Sequence, residues 1–174
     1  MLETDRLILK LLDEEDEKSI LAWRNQKDII DSLFCHKGIT LKEHREWYEK
    51  YLRSGNRIEF IIIVKNSGRK IGTVGLSNID YRNQKAEYGI FLGEKAERGK
   101  GYGKEASCAL ISYGFNELNL RRIYLKVFRD NRQAVKLYKN LGFNEEGILR
   151  KDVYKNGKFK DVMIMSILKD EWKV

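Results

Sequence analysis

A run of six residues in which every second position is glycine is the most informative feature of this chain. It reads Arg98-Gly99-Lys100-Gly101-Tyr102-Gly103 and lies between an extended segment at 86–92 and a helical segment at 104–118. Glycines at such a junction let the backbone approach a ligand closely, and a helix N-terminus offers unpaired N–H groups to an anion. The run therefore predicts a site for a phosphate-bearing cofactor, although a flexible glycine loop on a basic surface would share this spacing.

Two well-known phosphate loops come close to this run without fitting it. A Walker loop requires four residues between its glycines and Ser or Thr after its lysine, but Gly99 to Gly103 is one residue short and Glu105 follows Lys104. The dinucleotide fingerprint is G-x-G-x-x-G, whereas the spacing here is G-x-G-x-G. The ligand must therefore be inferred from the rest of the chain.

The composition limits the kinds of partner. The net charge of +8 comes from scattered Lys and Arg, which suits an anionic ligand, and no nucleic-acid motif is visible. No apolar run approaches the roughly 18 residues of a membrane span, and the start lacks a signal-peptide core. Cys35, Cys108 and the two histidines have no metal-binding spacing. We expect a single cytoplasmic domain over 1–174 with no metal and no nucleic-acid or membrane partner, and a homodimer remains open.

Hydrophobic periodicity and capping residues predict the order of elements. Strands are expected at 7–11, 58–64, 70–76, 86–92, 123–127, 149–155 and 158–168, and helices at 13–25, after Thr40, at 104–118 and at 131–141. Thr40 and Glu43 form a capping box, Gly142 follows the last helix, and Asn156-Gly157 is a hairpin signal. This order predicts an α/β fold with a mixed sheet.

Two motifs in this order resemble those of the GNAT acetyltransferase superfamily. Arg98-x-x-Gly101-x-Gly103 is similar to the loop that wraps the pyrophosphate of acetyl coenzyme A in that family. Asn131-x-x-Ala134-x-x-x-Tyr138-x-x-x-Gly142-Phe143 is similar to a second family segment almost letter for letter. The proline that many relatives carry before the loop is missing from 94–96. The resemblance spans nearly the whole chain and implies a mostly antiparallel central sheet with helices on both faces, and acetyl-CoA as the acetyl donor.

The resemblance also implies roles for individual residues. Backbone N–H groups of the loop would bind the diphosphate, the strand end before it would pair with the pantetheine arm, and Tyr138 would protonate the leaving thiolate. The residues implied for the cofactor are Ile90, Phe91, Leu92, Arg98, Gly99, Lys100, Gly101, Tyr102, Gly103 and Asn131. Two plainer interpretations stay open, in which Tyr138 only packs and Asn131 only caps its helix.

Acetyl transfer to an amine requires a neutral nitrogen, donors for the developing negative charge and an acid for the thiolate. Glu87 lies on the sheet face opposite Tyr88, just before the cofactor strand, and is our candidate base, directly or through a water. A solvated carboxylate at the sheet edge is the alternative explanation for Glu87.

The acceptor is expected mainly against 1–80, because 81–174 is taken up by the cofactor. Trp23-Arg24-Asn25 followed by His44-x-x-Trp47 resembles the sugar-nucleotide branch of the superfamily, which acetylates a 4-amino group on a UDP-linked deoxyamino sugar in pseudaminic acid synthesis. In that interpretation Arg24 pairs with a diphosphate, Trp23 or Trp47 stacks on a base or sugar, and His44 lies beside them. The aromatic residues are equally well explained as core.

The second half is also similar to polyamine and to ribosomal-protein N-terminal acetyltransferases. A polyamine site should gather carboxylates, and 13–17 supplies some, although a basic protein attracts a polycation poorly. Outside the enzymes, an acyl-CoA-binding sensor is the alternative, against which Tyr138 and the intact loop argue. We expect an N-acetyltransferase acting on a small primary amine, either a nucleotide-linked 4-amino sugar or, alternatively, spermidine or a ribosomal N-terminus.

Overall fold

The computed structural model describes residues 1–173, which build one eight-stranded sheet and five α-helices. The strands are β1 (Leu2–Glu3), β2 (Leu7–Leu11), β3 (Ile58–Val64), β4 (Arg69–Asp80), β5 (Lys85–Leu92), β6 (Arg122–Phe128), β7 (Asn144–Lys155) and β8 (Lys158–Leu168). The helices are α1 (Glu17–Arg24), α2 (Lys27–Ser32), α3 (Leu41–Ser54), α4 (Tyr102–Asn116) and α5 (Arg132–Asn140). Among the described residues, no helix is both long and apolar enough to cross a bilayer.

The sheet has a single parallel junction. Its strand order is β1-β2-β3-β4-β5-β6-β8-β7, and only β5 and β6 run in the same direction. This junction pairs just Lys85–Glu87 with Arg122–Tyr124. Within residues 1–173, the rest of β5 has a strand partner only on its β4 side, so the sheet opens between β5 and β6.

Helices cover both faces of the sheet, as the predicted fold class requires. On one face α4 buries Leu110, Ile111 and Phe115 against the strands, in the same cluster as Tyr138 of α5. On the other face Trp23 of α1 packs in a second cluster with partly buried aromatics of α3. Each fully buried large apolar side chain contributes roughly 1.5–3 kcal/mol.

Several local predictions are confirmed by the geometry. The Thr40 hydroxyl accepts from the Glu43 N–H at 3.2 Å, and the Glu43 carboxylate accepts from the Thr40 N–H at 2.8 Å. The Asn131 side chain accepts from the Ala134 N–H at 3.2 Å. The hairpin between β7 and β8 turns at Asn156 and Gly157, whose φ values of 51° and 77° suit a turn that follows the right-handed strand twist.

Other boundaries differ from the sequence predictions. The first predicted helix begins with a 3₁₀ turn at Glu14–Asp16, and α2 and β1 were not predicted because six and two residues are too few to show a period. Strand β7 begins at Asn144 rather than at 149, because register shifts interrupt its alternation.

Candidate active site

A cleft of about 740 Å³ opens where β5 and β6 diverge. The end of β5, the glycine loop and α5 form its walls. The predicted cofactor residues that line it are Ile90, Phe91, Leu92, Arg98, Gly99, Gly101, Gly103 and Asn131. Lys100 and Tyr102 lie outside this lining, and Tyr102 instead packs under the Arg6 guanidinium, 4.7 Å from its ring centroid.

The glycine loop turns directly into α4. Gly99 and Gly101 have φ values of 78° and 85°, in the left-handed region that favours glycine. The Gly101 carbonyl accepts from the Glu105 N–H at 3.1 Å, so the N–H groups of the three residues between them have no partner one turn earlier in α4. Unpaired N–H groups and the helix dipole at this position favour a negatively charged group beside the cleft.

The two cations of the loop, Arg98 and Lys100, bind other groups of the protein, although both are among the residues implied for the cofactor. The Arg98 guanidinium donates to the Leu92 carbonyl at 2.9 Å and to the Asp28 carboxylate at 2.5 Å. Lys100 pairs with Glu97 at 2.8 Å. Arg98 therefore fastens the loop to the end of β5 and to α2.

Two further lysines, which the sequence analysis did not single out, line the cleft. Lys104 in the first turn of α4 and Lys136 in α5 both line the cleft, and neither has an acidic partner among residues 1–173. Lys104 directly follows the glycine loop, and that position was the available signal. The sequence gives no comparable signal for Lys136, because its place in the cleft depends on how α5 packs in the fold.

Tyr138 lines the same cleft with 8% of its surface exposed. Its ring packs edge-on to Tyr88 at 6.0 Å and against Phe143 at 6.0 Å, and burial raises the pKa of its hydroxyl to about 12. The phenol therefore keeps its proton at neutral pH. Asn131 both caps α5 and lines the cleft, so the two interpretations of that residue are compatible.

A second cavity lies on the opposite face of β5. It has two adjoining lobes that share Arg24, Arg57, Glu59, Thr73 and Phe91, and we call it the acceptor cavity. Ile90 and Phe91 also line the cofactor cleft. The two hollows therefore meet at the end of β5, where a group held in the cleft could reach a group in the cavity.

Glu59 is the carboxylate that lines both lobes of this cavity, and it was not predicted from the sequence. Register places Glu59 beside Gly75 and Gly75 beside Gly89, so the carboxylate lies over a row without side chains. A Cβ on Gly75 would fall 2.4 Å from Glu59 Oε2. Burial raises the pKa of Glu59, although Arg57 and a hydrogen bond with Thr73 oppose the shift. A single acidic residue in the apolar strand β3 was the available signal.

Glu87, the predicted base, lies two residues before Gly89 on the same face of β5. It accepts a hydrogen bond from the Asn78 amide at 2.8 Å and lies outside the lining of the acceptor cavity. The structure therefore does not place Glu87 against a group bound in the acceptor cavity.

Trp23 has no ring face open to an acceptor. It is 2% exposed, and its indole N–H donates to Glu94 at 2.8 Å. A Cβ on Gly93 would fall 2.0 Å from the ring, which shows how closely the backbone packs on it. This placement corrects the expected stacking role of Trp23, because the ring is core.

The three other predicted acceptor residues do line the cavity. Arg24 reaches both lobes, and Trp47 and His44 line one of them. Trp47 stacks on His44 at 5.7 Å and lies 5.7 Å from the Arg57 guanidinium. Burial lowers the pKa of His44, which favours the neutral ring.

A loop after α2 closes the far side of the cavity and is held by Lys155 of β7. Leu33, Phe34 and Cys35 line this side. The Lys155 ammonium is buried and donates to the backbone carbonyls of Ile30, Leu33 and Cys35. The β7–β8 hairpin thereby fixes part of the acceptor wall.

Comparisons with known proteins agree with this architecture. Residues 6–144 match the acetyltransferase (GNAT) domain family. The chain is 34% identical to the uncharacterized N-acetyltransferase p20 of Bacillus licheniformis, over 98% of this chain and 97% of that protein. It is 31% identical to a spermidine N(1)-acetyltransferase of Vibrio cholerae, over 96% of this chain and 95% of that protein.

The fold matches more closely than the sequence. The crystal structure of spermidine N-acetyltransferase from Vibrio cholerae with CoA and spermine superimposes with a TM-score of 0.91, at 31% identity, over 97% of this chain and 98% of that one. Neither relative is named for a sugar nucleotide, so the predicted resemblance to that branch gains no support from them. The chain belongs to the GNAT acetyltransferase family and is an N-acetyltransferase.

Proposed function

We propose that this protein transfers an acetyl group from acetyl-CoA to a primary amine bound in the acceptor cavity. The observation that carries the proposal is the meeting of the cofactor cleft and the acceptor cavity at Ile90 and Phe91. Each hollow opens on its own face of the sheet, so donor and acceptor approach the junction from opposite sides. The arrangement brings two reactants together without making them compete for one entrance.

The cleft residues bind the donor. Acetyl-CoA supplies an activated acetyl group as a thioester. The N–H groups at the start of α4 and the ammonium groups of Lys104 and Lys136 face the region where its phosphates would lie. The open edge of β5 offers backbone groups to its amide-bearing arm. Tyr138 lines the cleft with its proton in place and donates it to the departing thiolate.

Glu59 prepares the acceptor. An amine reacts only when its nitrogen is neutral, so the ammonium form must lose a proton in the cavity. The raised pKa of Glu59 makes its carboxylate a stronger proton acceptor than an exposed glutamate, which suits a base working near neutral pH. The Glu59 carboxylate occupies the space over Gly75, and Gly89, where an added Cβ would have nothing within 4 Å, leaves room beside it for the amine.

Among the expected acceptors, the relatives support a polyamine over a nucleotide-linked amino sugar, because one of them is a spermidine acetyltransferase. Spermidine is therefore the reference acceptor. The test measures CoA release with spermidine, a UDP-linked amino sugar and an N-terminal peptide, using wild type and Glu59→Gln. We expect turnover with at least one amine and a large loss in the variant. CoA binding without turnover of any amine would instead favour an acyl-CoA sensor.

A further inference from the structure

Two guanidinium groups in the acceptor cavity form no salt bridge within residues 1–173, although Glu59 lies near both. Arg24, at the end of α1, and Arg57, just before β3, line both lobes, and neither forms an ion pair within residues 1–173. The Nε of Arg24 is shielded from water and has no hydrogen-bond partner among the same residues. Elsewhere in the chain, the partly buried Arg98 and Arg122 are each paired with a carboxylate. A buried guanidinium N–H without a hydrogen-bond acceptor lowers the stability of the protein unless a ligand accepts from it.

The other charges of the cavity leave it positive. Glu43 is held by Lys37 at 2.8 Å and by the N–H and hydroxyl of Thr40, which lower its pKa to about 2. Its charge is therefore already balanced by Lys37. His44 is buried and favours the neutral form. Glu59 then faces Arg24 and Arg57 as one carboxylate against two cations.

This balance disfavours a polycation as the acceptor. A second and third ammonium group of spermidine would meet guanidinium groups instead of carboxylates. A negatively charged group on the acceptor would be attracted into the same space. Arginine also binds carboxylate and phosphate through two parallel hydrogen bonds, which fixes orientation as well as adding affinity.

Arg57 and Glu59 enter the same space from one short stretch of chain. Glu59 lies in β3 and Arg57 directly precedes that strand, and both line the two lobes of the cavity. Arg24 approaches the same space from α1.

We infer that the acceptor is a primary amine that also carries a phosphate or carboxylate group, which Arg24 and Arg57 bind while the amine faces Glu59. This inference rests on the proposed function and names its substrate class. It separates the acceptor of this chain from the polyamine of the Vibrio cholerae relative.

The test compares amines that differ only at the far end. Pentylamine, 5-aminopentanoate and cadaverine carry a neutral, an anionic and a cationic end on one chain length, and 3-aminopropanol with 3-aminopropyl phosphate tests the phosphate source. We expect kcat/KM for an anionic amine to exceed that of its neutral partner by about ten- to a hundredfold, the range of a charge-assisted contact. Cadaverine and spermidine should be the poorest acceptors.

Arginine variants locate the effect. Arg24→Gln and Arg57→Gln should each reduce the anionic-to-neutral ratio of kcat/KM, and the double variant should bring it near one. Arg53→Gln, an exposed arginine of α3 beside Glu49, is the matched control and should keep the ratio. Faster turnover of spermidine or cadaverine, or a ratio that survives in the double variant, would overturn the inference.

A binding measurement keeps the inference testable if no amine of the panel reacts. With CoA saturating, inorganic phosphate and, separately, acetate should raise the melting temperature of wild type more than that of the double variant. An equal rise in both proteins contradicts the anion site. A failure of amine turnover with this difference intact counts against the proposed function alone.

Discussion

At the scale of single residues, Tyr138 offers the most direct test of the chemistry. Tyr138→Phe keeps the ring that packs on Tyr88 and Phe143 and removes only the proton that the thiolate would take. We expect kcat to fall roughly 10²–10⁴-fold while the Kd of CoA, measured by calorimetry, stays within about twofold. Tyr88→Phe is the control, since its hydroxyl bonds Ser107 at 2.6 Å inside the same aromatic cluster. A kcat near wild type for Tyr138→Phe would leave Tyr138 a packing role.

Glu59 should show opposite effects on activity and stability. Burial raises its pKa in the folded protein above the ordinary value of 4.5, so ionising it opposes folding. This penalty is absent below the pKa of the unfolded chain and grows as the pH rises through the folded value. Glu59→Gln removes the charge, so we expect a lower kcat together with a higher melting temperature at pH 8, and little difference in melting temperature at pH 4.

Thermal melts and initial rates across that pH range check this prediction. Glu87→Gln is the matched control, because Glu87 lies on the same sheet face but outside the cavity. We expect it to keep most of the wild-type rate. If the Glu59 variant were fully active, or less stable at pH 8, the base assignment would fail.

Motifs in the sequence allowed several residues that lie together in the structure to be named in advance, while their roles stay predictions. Tyr138, Asn131 and the loop glycines were singled out in this way, and the structure brings them to one cleft. No motif includes Glu59. Its position in the cavity depends on the pairing of β3 with β4, which places it beside Gly75, sixteen positions later in the chain. The stacking role predicted for Trp23 was wrong, because burial of an aromatic ring is decided by tertiary packing, which residue spacing does not reveal.

At the scale of elements, a buried carboxylate holds the start of α1. Asp16 is fully buried and pairs with Lys70 at 2.6 Å and with Lys10 at 3.1 Å. Burial raises its pKa, but the bonds from Lys70, the Asp13 N–H and Lys10 outweigh this, so the net pKa is lowered. The resulting stabilisation is present above the ordinary value of 3.8 and is lost as the pH falls through the folded value.

We therefore expect Asp16→Asn to reduce the free energy of unfolding by about 1–3 kcal/mol at pH 7 and by much less at pH 3. Urea unfolding at both pH values measures the difference. Asp31→Asn, which removes the exposed pair of Asp31 with Lys27, should cost under about 1 kcal/mol. Equal losses at the two pH values would show that Asp16 acts by shape rather than by charge.

The glycine loop predicts a binding effect without loss of the fold. Gly101→Val forces a β-branched residue to φ 85°, with its Cβ 3.3 Å from the Arg6 guanidinium, at the start of α4. We expect at least tenfold weaker CoA binding by calorimetry, with circular dichroism unchanged. Gly68→Val introduces a similar strain at φ 66° in the β3–β4 turn, with nothing within 4 Å of the new Cβ, and should keep the affinity. Normal CoA binding by Gly101→Val would remove the loop from the cofactor site.

Elements with strong local signals were predictable from the sequence, and those set by distant contacts were not. Strand β3 matches its predicted range of 58–64, because its apolar run is continuous. Helix α2 was missed because a six-residue helix relies on tertiary support, here from Arg98 and Lys95 bound to Asp28 and from Lys155 bound beyond its C-terminus.

At the scale of the whole molecule, the two halves of the chain contribute to both hollows. The acceptor cavity takes Arg24 and Glu59 from the first half and Phe91 from the second, and the cofactor cleft takes Asp28 from α2. The simple division of the sequence at about residue 80 therefore describes only where most of each site comes from. Both the cleft and the cavity contact β5, which lies in the middle of the sheet. The sequence alone does not give the strand order, so it could not show that each half of the chain contributes to both sites.

Because β5 pairs with β6 over only three residues, part of β5 is an unpaired strand edge inside the sheet. Strands normally leave unpaired amide groups only at the outer limits of a sheet, where they invite self-association. Here such a row lies near the middle, from residue 88 to 92, bordered by β4 on one side and by the cleft on the other. The amide-bearing arm of the cofactor would form hydrogen bonds with this edge, as an additional strand would. We therefore expect the protein to aggregate more slowly on storage when CoA is present, even when no acetyl group is transferred.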